Sequence, residues 1–476
     1  MRIDAAILFL LAAAHPETPQ AARWYTIVDE GGTRIGFASI EVARVGTDWR
    51  RTETREVTLA EEGGPWIRLA ERAVILTSAD GRVRSVQHVE QTGRAWTRRD
   101  IDISGDHADV VTNGSRGRGR MVVPLPAGTR FDGGEDLLRT WDPQRQPLLE
   151  FDDFDAGSAT VDHVVVRPAA AEASDPPGSS AALRVRYEQG RIRGIARVIR
   201  GADGSLAGAR QPMFGSAVTF MAANRAEALR PHAAYAALPR SLVKSPVRIT
   251  PAALDGHIRY RFTPTAGLGF EPPETGEQAA RVDGTDIILD VCRDCGPGLP
   301  DDAATLARAR KPTEWLESED PRIRAIADPV AHRTLPDAAK MALLLERARP
   351  FLEKVDFVGH YSAVETLKRR AGDCTEAAVL LAALGRAAGI PTLVASGLVY
   401  SREQYHGVAN MFMPHSWTLA YVDGRWRSFD LALDSFDASH IALTVGDGDP
   451  RSIAAAGQLA SLLKWGPIVE VRRPAG

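Results

Sequence analysis

The stretch Arg369–Pro391, RRAGDCTEAAVLLAALGRAAGIP, decides how the rest of the chain is read. Gly372 interrupts whatever precedes it. Asp373 suits an N-cap, because a short carboxylate accepts hydrogen bonds from the free amides of a first helical turn. Glu376, three positions on, can reach back to the cap's own amide and close a capping box. Ala377, Leu380, Leu381, Leu384 and Ala388 then recur at the spacing of one buried helical face. Gly389 and Pro391 end the helix as a C′ glycine and a following proline do. Cys374 therefore falls at the first helical position, where unpaired amides and the positive end of the dipole favour a thiolate. The expectation is a thiol pKa below its ordinary value of about 8.5. Taken alone, a small buried hydrophobe at a helix start explains the same residue.

The chain supplies partners further on. In HSWTLAYVDGRWRSFDLALD, which begins at His415, Val422-Asp423-Gly424-Arg425 is a two-residue hairpin signal, since Asp-Gly tolerates the positive φ of a tight primed turn. Counting back from that turn, Tyr421 faces Trp426, Leu419 faces Ser428 and Trp417 faces Asp430. Side chains alternate along a strand, so His415 and Trp417 share a face and Asp430 is a diagonal neighbour of His415. Diagonal Cβ atoms lie roughly 7–8 Å apart, within reach of a carboxylate–imidazole contact. A cysteine at a helix N-terminus and a histidine oriented by an aspartate make up the apparatus of nucleophilic acyl transfer. The imidazole takes the thiol proton, the carboxylate fixes its tautomer, and helix amides hold the oxyanion.

GDCTEAAVLLAALGRAAGIP, then HSW, then RWRSFD resemble the three motifs of the transglutaminase-like superfamily, in that family's order Cys…His…Asp. The resemblance spans roughly Pro312 to Leu443, including the tail ASHIAL. It implies a papain-like α+β core, with Cys374 as nucleophile, His415 as general base and Asp430 as its orienter. Two positions depart from the usual pattern. Leu419 stands where the family often has an acidic residue, and Leu431-Ala432 follow Asp430 where Pro-Thr is common. The resemblance also implies a protein or peptide substrate. It leaves hydrolysis and amine transfer both open.

Elsewhere the 476 residues are ordinary for a globular protein, 44% hydrophobic and 25% charged, with a net charge of −3. No basic excess is present to bind nucleic acid by counterion release. The apolar run Ala5–Ala14, followed by small residues at Ala21 and Ala22, has the pattern of a signal peptide over residues 1–22 and implies export to the periplasm or cell envelope. It is too short for a helix of ~20 residues to span a bilayer, so no integral membrane segment is expected in the mature chain. From Trp24 to about Phe220, short alternating runs separated by Gly-Gly, Asp-Gly and Asn-Gly signals predict an antiparallel β-rich domain, curved or sandwich-like. Arg116-Gly117-Arg118-Gly119-Arg120 reads as a solvated strand entry. The Ala-rich residues 217–240 read as a helix or a connecting segment.

The expected organisation is a β-rich domain over 23–240, a small β-rich segment with a CxxC over 241–299, and a catalytic domain over 300–476, with α+β class throughout. There Asp320-Pro321 opens one helix, Thr334 another, and Ser362 caps a third. Three cysteines in an exported chain suggest one pair plus one free thiol. Cys292 and Cys295, in VCRDCGPG, read as a local disulfide or structural thiols, because no second ligand pair completes a zinc site. No cofactor is predicted, and no acidic run has calcium-loop spacing. A rival reading is a cell-envelope binding or assembly protein that uses such a scaffold without turnover, motivated by the length of the β-rich region.

Overall fold

Period-two alternation organises the first half of the chain. The strand Asp48–Leu59 buries Arg51, Glu53, Arg55, Val57 and Leu59 in strict alternation, because successive side chains of a strand point to opposite faces. The computed structural model of the protein describes residues 22–60, 66–93, 95–114, 117–173, 175, 177–202, 204–213, 216–235, 242–265, 270–355, 360–403 and 408–471. The signal-peptide run, up to residue 21, and Arg116 lie outside the described residues. The chain divides near residue 237 into two compact units.

In the first unit, fourteen strands between Arg23 and Ala223 form one antiparallel sheet. Eight strands run as a meander from Arg23–Asp29 to an edge at Gly117–Pro124. Six more run from an edge at Leu149–Asp155 to Ser216–Ala223, which pairs with Arg23–Asp29 and joins the two halves. One continuous sheet thus replaces the sandwich alternative; a sheet this wide is long enough to coil on itself, since each adjacent pair of strands twists. The Ala-rich segment is corrected as well. Ser216–Ala223 is a strand, its cross-strand partners outweighing alanine's helix preference, and among the described residues of this segment Arg225–Ala228 forms a helical turn, capped by Asn224.

The second unit holds two larger sheets, a parallel two-stranded pair of Glu353–Lys354 with Ala371–Gly372, and the main helices. A four-stranded sheet runs Gln278–Asp283, Asp286–Val291, Ile258–Pro264, Leu463–Glu470, so the CxxC segment shares a sheet with the last strand of the chain. The disulfide Cys292–Cys295 follows this sheet, with Cα atoms 5.2 Å apart, and Cys374 is free. The other sheet is ordered Val243–Lys244, Met411–Val422, Thr392–Ser401, Ile441–Gly446, with Arg425–Phe429 paired to Met411–Val422.

The cysteine helix, Cys374–Ala387, is the centre of this unit. Every residue from Glu376 to Ala387 is buried, rather than the single face that the spacing predicts. Ala378, Ala382 and Ala383 are small enough for neighbours to close over the other face. Helices Pro321–Ala331, Asp337–Ala348 and Ala363–Arg369 pack around it, and the strand Met411–Val422 supports it. Asp320 and Ser362 cap their helices as the sequence indicates. Thr334 does not: the second of these helices starts at Asp337, after Pro336, with no side-chain cap.

Candidate active site

Local chemistry fixes the cysteine first. The Asp373 carboxylate accepts from the Thr375 amide at 2.7 Å, and Glu376 Oε2 accepts from the Asp373 amide at 3.1 Å. This capping box leaves Cys374 at the first helical position. Gly372 is required just before it, because a Cβ there would sit 2.4 Å from the Glu376 Cβ. Glu376 Oε1 also accepts from the Tyr361 amide at 3.0 Å, so the cap ties the cysteine turn to the preceding segment.

Two elements bring the histidine. The strand Met411–Val422 is anchored to the cysteine helix by Thr418 Oγ1, which donates to the Ala378 carbonyl at 2.9 Å. It pairs along its length with Thr392–Ser401, placing Gly397 opposite His415. No side chain fits at Gly397, where a Cβ would lie 1.9 Å from the Ile441 carbonyl oxygen. Beyond the hairpin, Asp423 and Gly424 both have positive φ, 53° and 75°. Tyr421 pairs with Trp426 and Leu419 with Ser428, the register that the Asp-Gly turn dictates.

That register brings His415 and Asp430 together. His415 Nε2 lies 2.6 Å from Asp430 Oδ2, with both side chains buried. Nε2 donates to the carboxylate, so in the neutral imidazole Nδ1 carries the lone pair. Asp430 Oδ1 accepts from the amides of Ala432 and Leu433 at 2.8 and 2.9 Å. Burial pushes the Asp430 carboxyl up, but His415 and His440 overcome it and hold the group well below the usual carboxylate range. The Trp417 ring stacks alongside His415 at 6.0 Å and donates its indole N–H to Ser428 Oγ at 3.0 Å.

Cys374 is half-buried, and the backbone amide of Ser416, the residue after His415, favours its thiolate form. The expected depression of its pKa is corrected. Burial pushes the thiol well up, Asp373, Asp430 and Glu376 add to this, and the Ser416 amide only partly offsets it. The helix dipole is outweighed because three carboxyl groups surround the sulfur. The thiol is therefore held with its proton, and a base is needed to remove it.

Two further groups escaped the sequence reading. His440, fully buried, places Nε2 3.0 Å from the same Asp430 Oδ2. Glu277 accepts the Ser428 amide at 2.9 Å, and burial pushes it up to about 7. His440 lies in the tail ASHIAL, so its presence was legible; its direction toward Asp430 depends on the turn at Asp437, where Ser439 bonds back to the Asp437 carboxylate. Nothing in the local sequence marks Glu277.

Two sets of possible cation ligands have donor atoms within 4.8 Å of one another among the described residues. In one, the sulfurs of Cys292 and Cys295 are spent in the disulfide, and His257 bonds Asp290 at 2.7 Å. In the other, the Nε2 atoms of His415 and His440 both donate to Asp430, and His440 is pushed up to about 9, leaving it no lone pair for a cation. Neither set fits a metal as bonded.

Residues 324–431 match the sequence profile of the transglutaminase-like superfamily. The chain therefore carries a transglutaminase-like domain, within an overall α+β fold, and that domain includes Cys374, His415 and Asp430. No curated protein matches the chain. Among solved structures, it resembles the periplasmic domain of TgpA from Pseudomonas aeruginosa at 18% identity and a TM-score of 0.29, covering 40% of this chain and 87% of that one. It also resembles a β-barrel-like protein of a domain of unknown function from Brucella abortus, at 11% identity and a TM-score of 0.34, covering 43% of this chain and 95% of that one. Likeness of this order bears on neither reaction nor substrate. Among the described residues, no helix is long and apolar enough to cross a membrane.

Proposed function

We propose that the protein is a thiol enzyme acting on an amide or peptide bond. In this reading Cys374 is the nucleophile, His415 the general base and Asp430 the residue that orients it. The observation that carries the reading is the buried His415–Asp430 bond, on the strand tied to the cysteine helix by the Thr418–Ala378 bond. His415 takes the thiol proton as sulfur attacks the carbonyl carbon, then returns it to the leaving amine. The oxyanion is held by the Cys374 amide, which the capping box does not use. Water or a second amine then resolves the acyl-enzyme, which gives hydrolysis or acyl transfer.

A protein or peptide substrate follows from the family resemblance. An exported, periplasmic or envelope location is supported by the Cys292–Cys295 disulfide together with the apolar run near the N-terminus.

The test is labelling with a thiol-directed electrophile near neutral pH. Cys374 is the free one of three cysteines, so the label reports on one sulfur. Cys374→Ala is expected to abolish labelling, and His415→Ala to slow it. Labelling that His415→Ala leaves untouched overturns the triad. With no turnover either, it favours the non-catalytic assembly role.

A further inference from the structure

We propose that His440 is a fixed cation that positions Asp430 and sets the pH range in which Cys374 and His415 work. The proposal rests on the triad reading above and adds a fourth member to it.

Geometry carries it. His440 Nε2 is 3.0 Å from Asp430 Oδ2, while Nδ1 is 3.1 Å from both Oδ1 and the carbonyl oxygen of Asp437. A neutral imidazole has one N–H and one lone pair, so one of its nitrogens would point a lone pair at a carboxylate. With a proton on each nitrogen, both contacts become charge-assisted hydrogen bonds. The Asp437 amide, 3.3 Å from Nδ1, would prefer a lone pair there, but two closer oxygens outweigh it. The ring is locked in place, edge-on to Trp417 at 5.1 Å and to His415 at 5.7 Å, with Phe436 on another side at 5.2 Å.

The consequence lies in the sharing of Oδ2. Bonded to His415 alone, the Asp430 carboxylate would pull strongly on the proton that His415 takes from the thiol. A second cation on the same oxygen divides that pull, so His415 can release its proton to a leaving amine. It also keeps Asp430 ionised in a buried place. The charged and titratable groups facing His440 are Asp430, Asp437 and His415, with Glu277 beyond them and Arg427 behind it. Those acting on the sulfur are Asp373, Asp430 and Glu376. Removing the His440 charge takes a stabilising cation away from the anions of the site, so the pKa of the thiol rises.

The experiment is the rate of Cys374 alkylation by iodoacetamide against pH, on the full chain with its disulfide intact. His440→Gln keeps a donor toward Asp430 and removes the charge. Its profile is expected to move to higher pH by about one unit. Asp437→Asn, which weakens the hold on the His440 proton, is expected to move it the same way by less. An unchanged profile in a folded His440→Gln chain, checked by circular dichroism, overturns the proposal. Should His440→Gln fail to fold, an unchanged Asp437→Asn profile overturns it instead. Labelling that depends on His415 but not on His440 sinks this proposal alone; labelling indifferent to His415 sinks the triad reading.

Discussion

Both units of the molecule bury ion pairs, and Asp153 and Glu53 in the first fare differently from Asp430 in the second. In the 14-stranded sheet, Arg186 bonds Asp153 at 2.9 Å and Asp162 at 2.6 Å, with all three buried. Burial nevertheless pushes Asp153 up to about 6, and it pushes Glu53, beside Arg51, up to about 7. Asp430, equally buried, is held far down. The difference is the company each carboxylate keeps. Asp153 and Glu53 sit among other carboxylates, Asp132 and Asp162 in one case and Glu135 and Glu71 in the other. Asp430 has two backbone amides on one oxygen and two imidazoles on the other. Burial alone therefore says little about a carboxylate's state; the number of donors on each oxygen decides it.

The largest effect expected from breaking this contrast is at Asp430. Asp430→Asn keeps the shape but presents an amide to two N–H donors, and acyl transfer should fall by about 10⁴-fold, measured as the rate of acyl-enzyme formation. In the sheet, Asp153→Ala removes one of the two carboxylates that Arg186 bonds, leaves Asp162 in place, and should cost about 1–3 kcal/mol in urea unfolding.

Acidity separates the regions next. Asp153 and Glu53 have folded pKa values above their unfolded ones, so their stabilisation is full below about pH 4 and is lost as pH rises through 6 to 7. Asp430 is lowered, so its stabilisation holds above about pH 4 and is lost only as pH falls further. His440 is raised, and its share is lost as pH rises through about 9. Opening free energies from region-resolved hydrogen exchange should therefore fall around Asp430 as pH drops from about 4 to about 2, on the order of 2 kcal/mol, and stay flat over that range around Asp153 and Glu53. Equal slopes would erase the comparison. The smallest effect is at Trp417→Phe, which removes the bond to Ser428 and should lower stability by about 1 kcal/mol in thermal unfolding.

Much of the second unit was legible in the sequence, because local rules govern its decisive turns. The Asp373–Glu376 capping box depends on residues three apart, and the Asp423-Gly424 turn fixes a register that reaches back to His415. The first unit was legible as strands but not as one sheet. Alternation reports which side chains share a face, and only pairing such as Trp24 with Ala223 shows how two meanders join. Ser216–Ala223 was misread in part for the same reason, since one of its two strand partners, Arg23–Asp29, lies almost two hundred residues away.

What the sequence determined by itself is the identity and spacing of the chemical groups: a capped cysteine, a histidine and aspartate in hairpin register, and a CxxC. Hydrogen bonds between residues close in the chain set these, and they need no distant partner. The tertiary structure alone decided the electrostatics. Whether the thiol keeps its proton, and whether Asp430 is bare or doubly clamped, depends on Ser416, Asp430 and His440 arriving from elements other than the cysteine helix. Charge state follows the summed field and solvation of everything packed around a group, and that sum exists only in the folded chain.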